Sequence, residues 1–255
     1  MVRLDRLSCP IDWQGTLLIA FPRGCEFRKR ASAFERLAVN GIKRRAGFIA
    51  YAGHTLPWKS PAALKREFPP LWRDVKSIVQ VLARMSEGHC AYCQKYIADE
   101  KSIEVEHFRP KSLFPRLAYE WQNYLPSCAI CNSKKHNKWP PLGEYVRPDN
   151  SVSPSSRFTF ERSGQVSATR VADREAELTI EDFGLNRPAL VRMRRTEIDR
   201  TLMVLEEARK LPGIQIEQLR FIFKVQLRDR LAKFSEAINQ NVLTLWSSAG
   251  GTLPL

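Results

Sequence analysis

No stretch of this 255-residue sequence stays apolar for the roughly 18 residues that a membrane-spanning helix needs, so a helical membrane protein is excluded. A secretory leader is missing from the expectation too. Arg3, Asp5 and Arg6 precede only a short apolar patch at Leu17–Phe21, without a continuous apolar region and small-residue cleavage site. A cytoplasmic chain with no membrane partner is expected. Acidic residues are scarce: 27 Asp and Glu face 41 Lys and Arg, a formal charge of +14 that favours polyanionic partners such as nucleic acid. There is no internal repeat and no long low-complexity tract. With 44% hydrophobic residues, the chain can bury a core as one large domain or two small ones.

Cysteines are few, six in all, and in a reducing compartment they read as metal ligands or buried thiols rather than disulfides. Cys9 and Cys25 stand alone near the N-terminus and read as ordinary thiols. The other four form two Cys-x-x-Cys pairs, Cys90/Cys93 and Cys128/Cys131. That spacing points two thiolates at one ion from each turn, which suits tetrahedral zinc with every position filled by protein. Such a zinc is structural. The 34 residues between the pairs are too many for an unstructured loop in a compact domain, so something is built inside them.

The remaining chain reads as mainly helical, with one short hairpin. An irregular arm or a short strand around Thr16–Ala20 and an amphipathic helix at Glu26–Leu37 are expected, and the first fifty residues carry ten Lys and Arg against four Asp and Glu. Ser60-Pro61 opens a short helix to Phe68, stopped by Pro69-Pro70. LWRDVKSIVQVLARM then places Leu71, Val75, Ile78, Val79, Leu82 and Met85 on one stripe, a helix ended by Gly88. Residues 141–156 read as a loop. RFTFE and QVSAT flank Arg162-Ser163-Gly164 as a hairpin with Phe158 and Phe160 on one face. Helices follow at Glu175–Phe183, from Pro188 to Lys210, and from Glu217 to Trp246. Arg187, Arg192, Arg194, Arg195 and Arg200 cluster on the middle one, either solvated or on phosphates. The division expected is a helical N-terminal region (1–89), a zinc-clamped module (90–140), and a hairpin plus helical C-terminal region (141–255).

Inside the zinc loop, Ser102–Phe108 reads as a strand that ends before Pro110. It carries Glu104, Glu106 and His107. An imidazole that titrates near ~6.5 can be neutral and accept a proton from water. The two carboxylates suit a hard cation that keeps sites open for phosphate oxygens and water. Strand geometry alternates faces, so Glu106 and His107 point apart unless the strand twists or ends there. After Cys131, the segment Asn132–Lys138 reads as a short helix with Asn132 and either Lys135 or His136 on one face. An Asn amide oxygen can ligate a hard cation and a lysine can meet a phosphate.

The order Cys-x-x-Cys, Glu-His, an internal Asn, then Cys-x-x-Cys-Asn-x-x-Lys resembles the HNH endonucleases, whose catalytic module is the ββα-metal fold. The resemblance implies hydrolysis of nucleic-acid phosphodiesters with one divalent cation, magnesium or manganese, beside the structural zinc. By position, His107 matches the general base and Glu106 the acidic metal ligand, a Glu where many members have Asp. Asn123 matches the middle asparagine, which ties the loop down and orients the histidine. Asn132 matches the second metal ligand and Lys135 the lysine facing the scissile phosphate. Glu104 and His136 are further candidates for the cation. The wider pattern EVEHFRPKS, W-x-N-Y-L-P-S-C-x-x-C-N and TIEDFGLNRPALVRMR is similar to the HNH nucleases of Septu-type and retron-linked anti-phage systems, which implies an ATPase partner. DNA is the expected substrate. The alternatives are an RNase of the same fold, for example tRNA-directed, and a non-catalytic zinc-knuckle protein that binds nucleic acid or scaffolds another subunit.

Overall fold

The computed structural model describes residues 4, 6–14, 70–73, 75–97, 99–114, 117–149, 154–210, 212, 218, 221 and 234–248. The arm or short strand expected around Thr16–Ala20, the helices at Glu26–Leu37 and Ser60–Phe68, and Cys25 lie outside them. The chain is mainly helical with a small ββα module. It forms two compact units, one from Arg6–Met85 with Asp99–Tyr145, the other from Met1–Asp5, Ser86–Ala98 and Val146–Leu255.

In the first unit, a 3-10 turn at Leu71–Arg73 leads to helix α1, Lys76–Met85. Ile78, Val81, Leu82 and Met85 are its buried residues, spaced i, i+3, i+4, i+7 as one helix face requires. The stripe expected from sequence included Val79. The buried position is Val81 instead, because the face that turns inward packs on the two strands of this unit.

Those strands are β1, Glu104–His107, and β2, Tyr124–Ser127, paired antiparallel with Glu104 opposite Ser127 and His107 opposite Tyr124. β1 is shorter than the strand expected at Ser102–Phe108. Asp99 accepts a hydrogen bond from Lys101 N (3.0 Å), which favours the 3-10 turn at Glu100–Ser102 over extended chain. Pro126 is tolerated in β2 because a two-stranded ribbon leaves each strand one edge that needs no donor. Helix α2, Ala129–Lys135, follows at once and packs on β1. Its N-cap is Cys128, whose sulfur accepts from Cys131 N at 3.5 Å, so the second Cys-x-x-Cys pair is also the start of the helix.

Aromatic rings fill the space behind the ribbon. Trp13 is fully buried, with ring centroids 5.9 Å from Tyr124 and 6.2 Å from Tyr119. The Arg6 guanidinium donates to the carbonyls of Trp121 (3.1 Å) and Tyr124 (2.8 Å), and Trp121 Nε1 donates back to Leu7 O (2.9 Å). The N-terminal arm is thereby stitched to the start of β2.

In the second unit, residues 86–97 form a knuckle: His89 bridges Tyr96, and Cys90 N donates to Lys95 O (3.0 Å). Gly88 allows it, since φ is +75° and a Cβ there would meet the Tyr96 ring at 2.9 Å. The hairpin is β3, Phe158–Phe160, paired with β4, Val166–Ala168. Phe158 and Phe160 are buried and Thr159 is exposed, the alternation of a one-sided ribbon. Helix α3, Arg174–Asp182, is capped by Asp173, which accepts from Ala176 N at 3.1 Å. Helix α4, Pro188–Arg209, begins with proline at its first position.

The final helix differs from expectation. The apolar stripe read from Glu217 to Trp246 does not form one helix: Phe234 has φ +62°, and α5 spans Ser235–Ser248. The break buries Phe234 within 5.7 Å of the Arg194 guanidinium. Past it, Gln240 and Asn241 complete the free edge of β3, with Gln240 Oε1 accepting from Phe160 N (2.8 Å) and Asn241 Nδ2 donating to Phe160 O (3.0 Å). Arg194 is also a correction to the basic cluster expected on α4. It is 1% exposed, donates to the carbonyls of Gly164 and Leu185, and lies over Phe160, so it is a core residue and not a phosphate contact. Among the described residues no helix is long and apolar enough to cross a membrane.

Candidate active site and metal centre

The thiols of Cys90, Cys93, Cys128 and Cys131 are buried, with all four Sγ atoms within 4.8 Å of one another. With Zn–S bonds of about 2.3 Å, tetrahedral sulfurs lie about 3.8 Å apart, so the cluster is close to closing on one ion. Four soft donors and no open position fit a structural zinc. Cys9 is elsewhere, half-buried, its thiol pKa pushed up mainly by burial.

The second constellation grows from β1 and α2. Glu104 and Glu106, two residues apart, share the face of β1 that α2 covers. Asn132 and Lys135, three residues apart on the helix, meet them there. Asn132 Nδ2 donates to Glu104 Oε2 at 2.6 Å. The Lys135 ammonium, 0% exposed, forms an ion pair with Glu106 and also donates to the His107 carbonyl. Burial pushes the Glu106 carboxyl up to about 7 against the pull of Lys135 and Lys111, and it pushes Lys135 down. Both shifts express one fact, that this pair is held out of water. Glu104, Glu106 and the Asn132 amide oxygen are hard donors of the kind that magnesium or manganese takes, so the residues present fit a divalent cation.

His107 faces other partners. Its Nε2 lies 2.8 Å from Ala118 O, and its ring packs edge-on against Trp72 (4.6 Å) and Tyr124 (5.1 Å). A carbonyl can only accept, so Nε2 carries the proton and the lone pair is on Nδ1. Burial first, then the charge of Lys111, pushes the imidazole down to about 3, so the ring is neutral across the physiological range. Strand alternation therefore separates the histidine from its neighbouring carboxylate, and β1 ends at His107.

Asn123 organises the crossover between the strands. It is 3% exposed, its Oδ1 accepts from Arg109 N (2.8 Å), and its Nδ2 donates to the carbonyls of Arg109 (2.9 Å) and Leu117 (3.0 Å). Leu117 precedes Ala118, so the same loop delivers the carbonyl that fixes the His107 tautomer. His136 is exposed at the C-cap of α2 with φ +49°, and among the described residues its ring makes no hydrogen bond or ion pair. Three contributors were not singled out from sequence: the Trp72 ring, the Ala118 carbonyl and the Lys111 ammonium. Only Lys111 left a trace there, as the cation after Pro110 in HFRPKS.

The two shifted pKa values predict a measurable pH dependence. His107 binds its proton near 6.5 when unfolded but only near 3 when folded, so its contribution to stability is lost as pH falls between those values. Glu106 acts oppositely: its proton is held up to about 7 in the fold against an ordinary 4.5, so its contribution is lost as pH rises through that window. From pH 6.5 to 4.5 the two slopes cancel, each about 1.4 kcal/mol per pH unit. Glu106→Gln removes one of them. Chemical unfolding without added divalent cation should show the variant losing about 3 kcal/mol relative to wild type over that window. Parallel pH profiles would contradict these assignments.

Residues 90–138 match the family model described as HNH endonuclease. Over 146 residues the chain is 30% identical to the "Retron Vc95 putative HNH endonuclease" of Vibrio cholerae serotype O1 biovar El Tor, covering 53% of this chain and 70% of that protein. The chain belongs to the HNH endonuclease family. Over 55 residues it is 49% identical to Septu protein PtuB of Bacillus thuringiensis, 21% of either chain. A second Septu protein PtuB, from Bacillus mycoides strain KBAB4, is 26% identical over 200 residues, 67% of this chain and 66% of the relative. Within this HNH chain, the family match spans both cysteine pairs, β1, β2 and α2, the elements that assemble the two constellations.

Proposed function

We propose that this HNH chain is a metal-dependent endonuclease that hydrolyses phosphodiester bonds, with DNA as substrate, as the nuclease subunit of an anti-phage defence system that also contains an ATPase. The observation that carries the reading is His107: a neutral imidazole with Nε2 committed to Ala118 O and the lone pair on Nδ1, next in sequence to a buried carboxylate. Relatives bearing the names Septu and retron Vc95 support the defence context.

Nδ1 of His107 takes a proton from the attacking water as the phosphorus–oxygen bond forms, and Nε2–H on Ala118 O keeps the ring aimed through the transfer. Glu106 and Asn132 would hold the divalent cation, with Glu104 positioning the Asn132 amide. That cation, when bound, supplies Lewis-acid stabilisation of the charge on the phosphate and the leaving 3′ oxygen. Lys135 keeps Glu106 and the His107 backbone in register, and its ammonium is the cation nearest the carboxylate as a phosphate arrives. Asn123 holds the loop that presents Ala118. The negative charge of a bound phosphodiester opposes the effect of Lys111 on His107 and so makes the imidazole a better base once substrate is in place. Elsewhere the excess of Lys and Arg draws in the backbone and makes binding salt-sensitive.

The test is parallel cleavage of supercoiled plasmid and total tRNA by the purified chain, together with any ATPase that co-purifies, in magnesium or manganese. Nicked and linear plasmid is the expected product. Cleavage of tRNA alone would reassign the substrate to RNA, and inertness of the complete complex towards both would reject the hydrolytic reading.

A further inference from the structure

Among the described residues, Lys111 is a cation of the site that the mechanism leaves without a partner. It follows Pro110, in a turn fixed by Leu113 N and Phe114 N donating to Pro110 O (2.9 and 2.8 Å). Its ammonium lies 4.9 Å from the centroid of the Trp72 ring, the same indole that packs 4.6 Å from His107. One aromatic plate thus carries the general base and a lysine. Among the described residues, no oxygen is hydrogen-bonded or ion-paired to that ammonium, although the side chain is half-buried. Its charge acts on both His107 and Glu106.

The surroundings are cationic. Arg73, exposed at the end of the 3-10 turn that carries Trp72, and Lys135 both oppose the charge on Lys111, and only Glu106 favours it. An ammonium pinned on an indole, partly out of water, with two further cations within electrostatic reach, is relieved by an anion. A packing role for the aliphatic stem explains the contact with Trp72. It does not explain why the charged end is left without an oxygen partner beside a base and a carboxylate.

We infer that Lys111 is the seat of the scissile phosphate, its ammonium bonding a non-bridging oxygen of the phosphodiester, with Arg73 meeting an adjacent phosphate of the same backbone. The assignment rests on the nucleic-acid reading above and adds to it a substrate-binding residue that lies outside the histidine, asparagine and cysteine motifs.

Lys111→Met keeps the stem on Trp72 and removes the charge, and Lys111→Arg keeps the charge. Binding of a fluorescent duplex of roughly 30 base pairs, measured without added divalent cation so that nothing is hydrolysed, is followed between about 50 and 200 mM salt. For Lys111→Met, affinity should fall about 10-fold or more, and the slope of log K against log salt should become shallower by about 0.9. With magnesium, kcat/KM should fall about 10- to 100-fold, and Lys111→Arg should recover most of both losses. Unfolding curves confirm that the variants are folded. Lys111→Met with wild-type affinity and salt slope overturns the assignment, as does a Lys111→Arg variant no better than Lys111→Met, which would mark a packing role. Because the binding arm needs no cleavage, a wild type that binds but does not cut counts against the hydrolytic reading and not against the phosphate seat.

Discussion

His107→Ala is expected to lower the cleavage rate by about 10²- to 10⁴-fold, the range typical for loss of a general base. The loss should fall on kcat more than on KM, because the imidazole acts on the water and not on the nucleic acid. Stability should change as well. Removing a ring buried between Trp72 and Tyr124 leaves a cavity and takes one of two donors from the Ala118 carbonyl, the Tyr124 hydroxyl remaining, so some destabilisation accompanies the rate loss. His107→Asn separates the two effects. An asparagine fills part of the space and can donate to Ala118 O, yet it cannot take a proton at neutral pH. It should therefore melt closer to wild type while cutting as poorly as His107→Ala, and measurement of single-turnover rates beside thermal unfolding checks this. Wild-type cleavage by either variant would remove His107 from the mechanism.

Loss of the zinc cluster should be the larger effect on stability. Binding of a structural zinc is worth about 10–16 kcal/mol in apparent free energy at neutral pH, comparable with the whole stability of a typical domain. Cys131 is both a ligand candidate and part of the first turn of α2, so Cys131→Ser should disturb the helix that supplies Asn132 and Lys135. Zinc analysis should give about one ion per wild-type chain and none, or much less, for Cys131→Ser. The variant should lose cooperative unfolding near α2 and lose cleavage with it. Cys9→Ser is the control and should keep its zinc, since Cys9 is not a member of the cluster. A Cys131→Ser protein that melts like wild type would show that the cysteines do not clamp the fold.

How much of this could be read from residues alone follows the range of each interaction. The two Cys-x-x-Cys turns, the hairpin ending at Gly164 and the helix start at Pro188 are local, decided by spacing, by a glycine at φ +88° and by a proline at the first helical position. The β1–β2 ribbon was half visible. Its first strand showed as alternating Glu-Val-Glu-His, whereas the crossover from Phe108 to Asn123, which brings Ala118 O to His107, depends on contacts across the loop that no periodicity encodes. Lys135 and Arg194 show the limit most clearly. Each belongs to a run of basic residues that reads as solvated or phosphate-facing, and each is buried because one particular partner awaits it, Glu106 for the first and the Gly164 and Leu185 carbonyls for the second. The break at Phe234 is of the same kind, since nothing in its sequence neighbourhood interrupts the helical stripe.

The ββα unit joins these observations into one chemical argument. A strand alternates faces, so Glu106 turns to α2 while His107 turns to the aromatic wall, and the proposed cation ligand and the proposed base are two consecutive residues. The buried pair of Glu106 and Lys135 keeps the carboxylate ordered before a cation arrives, and removing only one partner of such a pair typically costs about 3–5 kcal/mol. For that reason Lys135 variants report on stability first and on catalysis second. The charge of the chain as a whole does the remaining work by concentrating the polyanion around this small centre.

The most direct measurement of the central claim is the divalent-cation dependence of plasmid cleavage, with zinc content followed in the same samples. Dialysis that removes weakly held cations but leaves the tightly bound zinc should stop cleavage, and magnesium or manganese should restore it in wild type but not in Glu106→Ala. Cleavage that continues at full rate without added cation, or that Glu106→Ala carries out as well as wild type, would contradict the account.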